Sequence, residues 1–576
     1  MGVEAWLQIV LTMLAVFALS IPTGRYMAKI VMESKTVFDH FFDPIDGAIY
    51  FFIGRRVSSQ PMTWKAYTFH MLATNLVMTL IIFAIYSFQA HLPLNQLHFP
   101  GMAAFQAFNT AISFITNTNW QSYAGETTLS NFSQMGGITY PMFTSATTGF
   151  VVAMAWIRAF TVKNEGADLG NFYRDFIRFI TRVLLPICFV IALVMISQGA
   201  VQTLDASFVA HTLQGSDQTI VVGPVASQGT IELVGTNGGG FYNVNAAHPF
   251  QNPTPITNAI LIVLMALLPA SIVVTFGEMI DNRRQAWVLY GVMGALMVLF
   301  LMLCVIPEQS GTPVLQRAGI EINATGDQPG GNMEGKEVRF GVAGSSLFAD
   351  ITTSFTTGAI DSAHDSYTPL PGISMFGGMM LQCVFGGKGV GFLNALIYGL
   401  IAVFVAGLMV GRTPEFLGKK IETQEIILVS LALLIHPLII LSSTGWSMLA
   451  PYALSSLGNN GIHGYSEVLY AFTSGAADNG SAFAGLNSNT AWFNLATAAV
   501  IFIGRYPPII FLMAVAGSVA RKPTIAPTTS TLRTDTVTFG VFWFATILIV
   551  GALTFFPALV LGPVAEFFAM KAGLVF

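Results

Sequence analysis

The sequence predicts an all-α polytopic membrane protein with ten transmembrane helices, on three observations. Only 9% of its 576 residues are charged and 53% are apolar, with a mean hydropathy of +0.65. Ten segments carry the roughly 20 apolar residues that a bilayer core about 30 Å thick asks of a helix. Between them, polar turns of similar composition recur at nearly constant spacing.

The first observation bounds the function. A soluble domain usually carries about 25% charged residues, so this chain lacks the side chains to coat a water-facing surface of its size. A cytosolic enzyme, a disordered protein and a nucleic-acid binder are excluded. The 25 basic and 29 acidic residues leave a net charge of −4, with no basic excess to attract phosphates. Cys188, Cys304 and Cys383 lie far apart in apolar or glycine-rich contexts, with no metal-ligand spacing and no disulfide framework.

The spans are expected at about 5–22, 66–89, 135–157, 183–200, 256–277, 286–306, 389–411, 426–443, 490–519 and 539–561. The first does not read as a cleaved signal peptide, because Glu4 precedes it without a basic region or a following small-residue cleavage site. Placing the connecting loops alternately puts 19 of the 25 basic residues on one side. They include Arg25, Lys35, Arg55, Arg56, Lys163, Arg182, Arg283, Arg412, Lys420 and Arg521. The other side holds five (Arg317, Lys336, Arg339, Lys388, Lys571), and Arg505 falls within a span. The basic side is cytoplasmic, so both termini face outward. With 16 acidic residues outside and 13 inside, the outer face sums to −11 and the inner to +6. A negative outer surface concentrates cations. The same asymmetry also follows from topology alone, which keeps basic residues out of outer loops.

The outer loops after spans 2, 4, 6 and 8 each hold a short apolar stretch followed by a polar turn. The stretches are Phe105–Ile115, Ile231–Val234, Leu347–Phe355 and Val468–Phe472, too short to cross and read as re-entrant half-helices. The turns contain Asn117-Thr118-Asn119, Thr236-Asn237-Gly238, Thr356-Thr357-Gly358 and Asp478-Asn479-Gly480, whose third positions are 119, 120 and 122 residues apart. This spacing indicates a fourfold internal repeat of helix, half-helix, turn and helix, with one extra span at each end. The expected units are 1–65 (extra span and inner loop), 66–160, 161–280, 281–412, 413–520 (one repeat each) and 521–576 (extra span). Irregular backbone survives at membrane depth only inside protein or along a wet cavity. Four turns around one axis would aim carbonyls at a common line, as potassium filters do. Glycine at position three permits φ > 0, and Asn119 is the next most tolerant residue. Ordinary polar extracellular loops are the competing reading, disfavoured by four turns in register.

At these residues the chain is similar to the potassium-binding subunit family (KdpA) of the bacterial Kdp potassium-transporting ATPases. The strings TNTNWQSY (116–123), GTNGGGF (235–241), TTGAIDSAHDS (356–366), GRTPEFLGKKI (411–421) and FTSGAADNGSAFAGLN (472–487) carry the resemblance, which runs over essentially the whole chain. It implies a member of the potassium-transporter superfamily in which Asn117, Thr118, Asn119, Gln121, Thr236, Asn237, Gly238, Thr356, Thr357, Gly358, Asp478, Asn479 and Gly480 line a K+ selectivity filter. It further implies a subunit without catalytic residues or an ATP site. Such a subunit works in the bacterial inner membrane beside a P-type ATPase subunit (KdpB), a periplasm-facing subunit (KdpC) and a small single-span peptide (KdpF). The third turn departs from the family pattern, which often has Cys where Thr357 stands. A stand-alone K+ channel or ion-coupled symporter of the same superfamily is the alternative, and a filterless solute permease is opposed by the repeat.

Arg505 lies in IFIGRYPPII within the ninth span, where an ionised group costs about 2.5–3.5 kcal/mol on insertion scales. Two readings stay open for it: a positive charge below the filter that stops ion leak, or an arginine snorkelling from the end of a shorter helix. Pro507 and Pro508 predict a kink or break there. Asp361, Asp365 and Asp478 are expected at the outer mouth, as cation-attracting or capping groups, and His364 as a hydrogen-bonded loop residue. FGGKGVG (385–391), expected on the outer side, fails the phosphate-loop pattern because Lys388 is followed by glycine. The stretch 307–345 reads as a surface loop, open to partner contact.

Overall fold

The computed structural model describes residues 2–162, 168–325, 328, 330–387, 389–526 and 531–574; Lys163 and Lys388, used above to orient the loops, lie outside the described residues. Ten of its helices are long and apolar enough to cross a bilayer: Val3–Val31, Trp64–His91, Asn131–Thr161, Phe172–Ser197, Pro255–Met279, Arg283–Arg317, Val390–Val410, Thr423–Leu449, Ala491–Ala520 and Val537–Ala572. Each overlaps the expected span of the same rank. Several run further, because polar residues such as Arg158 and Arg174 continue the hydrogen-bond ladder past the apolar stretch.

Burial alternates along the chain. Spans 2, 4, 6 and 8 bury 28, 39, 50 and 33% of their apolar windows, whereas spans 3, 5, 7 and 9 bury 89, 83, 61 and 61%. The helix that follows each polar turn therefore lines the centre, and the helix before it lies further out. Spans 1 and 10 bury 22% each and sit at the periphery. Span 1 packs along span 5, where Thr275 donates to the Gly24 carbonyl at 3.0 Å.

The half-helices are Ala104–Ile115, Val225–Val234, Gly341–Ser354 and Gly461–Ala476, longer than their apolar stretches. Outer loop 4–5 also carries a hairpin of Ser207–His211 on Asp217–Val221.

Two expectations change. Of FGGKGVG, the described residues Phe385–Gly387 and Gly389–Gly391 do not lie on the outer surface. After the third turn the chain descends as Pro369–Leu381, leaves the helix at a left-handed Gln382 (φ 48°), and resumes as span 7 at Val390. The connecting loop packs beneath the third turn, with Gly387 N donating to Thr356 Oγ1 at 2.7 Å. Nor does the ninth span break: a single helix runs from Ala491 to Ala520 through Pro507 and Pro508. Pro508 cannot donate to the Gly504 carbonyl one turn back, and His436 Nε2 takes that place at 3.1 Å.

Candidate ion-binding site

Each half-helix delivers its C-terminal end to its own turn, so four partially negative helix ends converge on one region and favour a cation there. The turns begin by tying their N–H groups back to the half-helix. Thr118 N and Asn119 N donate to Ser113 O at 3.0 and 3.2 Å, and Asn237 N donates to Glu232 O at 2.8 Å. Thr357 N donates to Thr352 O at 2.8 Å and Asn479 N to Ser474 O at 2.9 Å. The anchors Ser113, Glu232, Thr352 and Ser474 all stand six residues before position three of their turn. Sequence reasoning missed them, although their constant offset from the repeat was available to find them.

With the donors spent on the half-helices, the backbone has carbonyls left to offer. Their direction follows from an alternation of handedness. Position one is left-handed in every turn (Asn117 φ 71°, Thr236 36°, Thr356 46°, Asp478 53°), and so is position three (Asn119 57°, Gly238 68°, Gly358 91°, Gly480 97°). Position two is not. Such alternation brings successive carbonyls onto one side of the strand. A left-handed conformation was expected only at position three. At position one Thr236 and Thr356 hold it against their steric preference, over-determined by the surrounding bonds, whereas Asn117 and Asp478 are residue types that tolerate it.

The four turns close a ring in chain order. A Cβ at Gly238 would overlap the Thr357 carbonyl, one at Gly358 that of Asn479, and one at Gly480 that of Thr118. The junction of turns one and two closes through side chains: Asn117 Nδ2 donates to Thr236 O at 2.8 Å and Asn119 Nδ2 to Gly238 O at 2.7 Å. Gln121 holds Gly240 from both sides, accepting from its N–H at 2.8 Å and donating to its carbonyl at 3.3 Å. Thr118 Oγ1 donates to Asp478 Oδ1 at 3.1 Å, and Asn479 Nδ2 to Thr352 O at 2.8 Å. All thirteen turn residues expected from the sequence are therefore brought together.

On its outer side the ring opens into a vestibule of about 630 Å³, lined among others by Asn119, Gln121, Gly358, Asp361, His364 and Gly480. On the inner side lies a small cavity bounded by Asn117, Thr356, Gln382, Gly387, Asp478 and Arg505. This corrects the placement of Asp478: it sits at the inner end of its turn, because position one precedes the outward run of the backbone. Its Oδ2 meets Arg505 Nη1 at 3.2 Å, both side chains being buried. Arg505 is thus an interior residue and does not snorkel. Asp361 is also buried, accepting from Asn258 Nδ2 at 3.1 Å and Ser362 Oγ at 3.0 Å. His364 Nδ1 bonds the Tyr470 hydroxyl at 2.8 Å. Asp365 lies further out, 3.0 Å from His463, whose other ring nitrogen meets Glu566 at 3.2 Å. Burial opposes the charged ring of His463, but the two carboxylates outweigh it and hold its pKa up at about 10.

In the stretch 307–345, Lys336 and Glu308 form a fully buried pair at 2.6 Å, with Lys336 stacked 3.9 Å over Tyr367. This packs the stretch against the segment that follows the third turn.

A family described as the potassium-transporting ATPase A subunit (KdpA) matches residues 10–568 of this chain. The potassium-transporting ATPase potassium-binding subunit of Geobacillus kaustophilus is 47% identical over 564 residues, 98% of this chain and 99% of its own. The subunit of the same name from Alicyclobacillus acidocaldarius is 48% identical over 567 residues, again 98% and 99%. Among solved structures, the potassium transporter TrkH from Vibrio parahaemolyticus is similar in fold, with a TM-score of 0.51 at 13% identity over 89% of this chain and 98% of its own.

Proposed function

The chain belongs to the family of potassium-transporting ATPase A subunits (KdpA), and from that premise we propose that it captures K+ in the ring of four turns and passes it to a P-type ATPase partner for ATP-driven uptake. It is the potassium-binding subunit of that system and does not itself hydrolyse ATP. The single observation that supports this ring as the site is its backbone. Spent N–H groups, alternating handedness and converging helix ends offer carbonyls to a dehydrated cation. Ion entry is from the vestibule, past Asn119, Gln121, Gly358 and Gly480. Below it, the guanidinium of Arg505, tethered by Asp478, stands beside the inner cavity where an ion would leave, which slows free leak into the cell.

The finer assignments are part of the same proposal. The partners are KdpB, KdpC and KdpF, with membrane lipid around the outer spans. The membrane is the bacterial inner membrane, with both termini on the periplasmic side, and the six units from 1–65 to 521–576 divide the chain as expected from its sequence.

The test is co-purification. Recovery of an ATPase-sized subunit with K+-stimulated ATP hydrolysis supports the reading, and K+ currents from the chain reconstituted alone overturn it in favour of a channel. Within the active complex, Gly238→Asp is expected to weaken discrimination of K+ from Rb+ and ammonium. Unchanged relative affinities would remove the second turn from the filter. Arg505→Ala is expected to alter transport rate or selectivity, and an unchanged pair of values would leave that residue a structural role only.

A further inference from the structure

On the basic side of the protein, between spans 1 and 2, the helix Asp39–Ile53 carries two opposed faces. One face presents Asp39, Asp43 and Asp46, all of which close on the guanidinium of Arg182, itself fully buried. Arg182 Nε lies 2.8 Å from Asp39 and its Nη2 2.5 Å from Asp43, while Nη1 bonds Asp46. The other face, at helical spacing of four, four and three, presents Phe41, Ile45, Ile49 and Phe52, of which Phe41 and Phe52 are 67 and 86% exposed. Phe51 is exposed beside them.

The anchor fixes the height of this helix. Arg182 is the last charge before the uninterrupted apolar run Val183–Ile196 of span 4, so a helix clamped to it lies level with the bilayer boundary. Its flanks carry Lys35, Arg55, Arg56 and Lys65, all exposed and none with an ion-pair partner among the described residues. Asp39 and Asp46 are turned inward and Asp43, though its side chain is 63% exposed, is bonded to Arg182, so no acid lies on the apolar stripe itself. An apolar stripe with free cations at both ends is complementary to an acyl boundary beneath anionic headgroups.

We propose that Asp39–Ile53 is an interfacial anchor. Its Phe41/Ile45/Ile49/Phe52 stripe enters the inner leaflet, and Lys35, Arg55, Arg56 and Lys65 engage the headgroups of anionic phospholipid. The clamp on Arg182 couples that lipid contact to span 4, which leads into the second unit of the ring.

The test is site-directed spin labelling of the full-length chain in vesicles of phosphatidylcholine with or without phosphatidylglycerol. Cys188, Cys304 and Cys383 are buried, so labels go to Ile49→Cys, Phe52→Cys and, as an aqueous reference, Gln60→Cys. Labels at positions 49 and 52 are expected to collide with a water-soluble nickel chelate about tenfold less than the label at 60, and more with oxygen, as for a helix buried in the headgroup–acyl boundary. Equal nickel access at all three positions, a helix in water, overturns the proposal. So does protection from both reagents, which means that protein covers the stripe. Phosphatidylglycerol is expected to deepen the protection, and Arg55→Gln/Arg56→Gln to abolish that dependence. Protection indifferent to both changes overturns the headgroup assignment.

Discussion

Three junctions of the ring and the fourth are closed by different chemistry. Between turns two and three, three and four, and four and one, a glycine at position three lies against the neighbour's backbone, with no room for a Cβ. Between turns one and two the position-three residue is Asn119, and its amide reaches across to the Gly238 carbonyl, as Asn117 does to Thr236. The lesson is that a fourfold arrangement built from one chain need not be closed fourfold. Glycine junctions are rigid by exclusion, whereas the amide junction is held by bonds that can be removed one at a time.

The largest expected effect is at a glycine junction. Gly358→Ala puts a methyl into the Asn479 carbonyl at φ 91°. The left-handed backbone alone costs a non-glycine residue about 1–2 kcal/mol, and the overlap adds to it. Apparent K+ affinity, read from K+-stimulated ATP hydrolysis of the complex, is expected to fall roughly a hundredfold or more at about 1.4 kcal/mol per decade. An effect under about tenfold would mean that the junction is elastic, against the close packing on which the comparison rests. Next is Asn119→Gly, which converts the fourth junction to the chemistry of the others. It relieves the φ of 57° but deletes the bond to Gly238. A net hydrogen bond of about 1 kcal/mol predicts a fivefold to tenfold loss of affinity, measured in the same assay. Unchanged affinity would show that position three needs only its backbone conformation and that the amide is incidental.

The difference between the junctions also explains what could be read beforehand. Glycine or asparagine at position three was legible, because few residues hold φ > 0 and the spacing repeats near 120 residues. The same conformation at Thr236 and Thr356 was not, since threonine does not favour it. Ring closure and the anchors Glu232 and Thr352 impose it from outside the turn. Spans were legible from apolar length alone. The descent Pro369–Leu381 and its buried loop were not, because hydropathy does not distinguish a broken membrane helix from an outer loop. The side of Asp478 was missed for a related reason: charge type gives no depth, and only Arg505, 27 residues on, fixes it. The helix Asp39–Ile53 escaped because its partner Arg182 lies 136 residues from Asp46.

The smallest effect tests whether position two takes part through its side chain. Thr357 is fully buried, and its hydroxyl makes no hydrogen bond among the described residues. Its N–H is held by Thr352 O, and its carbonyl lies where a Cβ on Gly238 would fall. All that this residue gives the ring is therefore backbone. Thr357→Cys removes a methyl, replaces an unpartnered hydroxyl with a thiol of similar reach and leaves the backbone bond to Thr352 in place. The expected cost is within about 0.5 kcal/mol, which keeps K+ affinity within about twofold. A loss beyond about tenfold would mean that the Thr357 side chain faces the ion and that the third turn coordinates differently from its neighbours. The distinction between backbone-closed and side-chain-closed junctions would then fail at the turn where it is most sharply drawn.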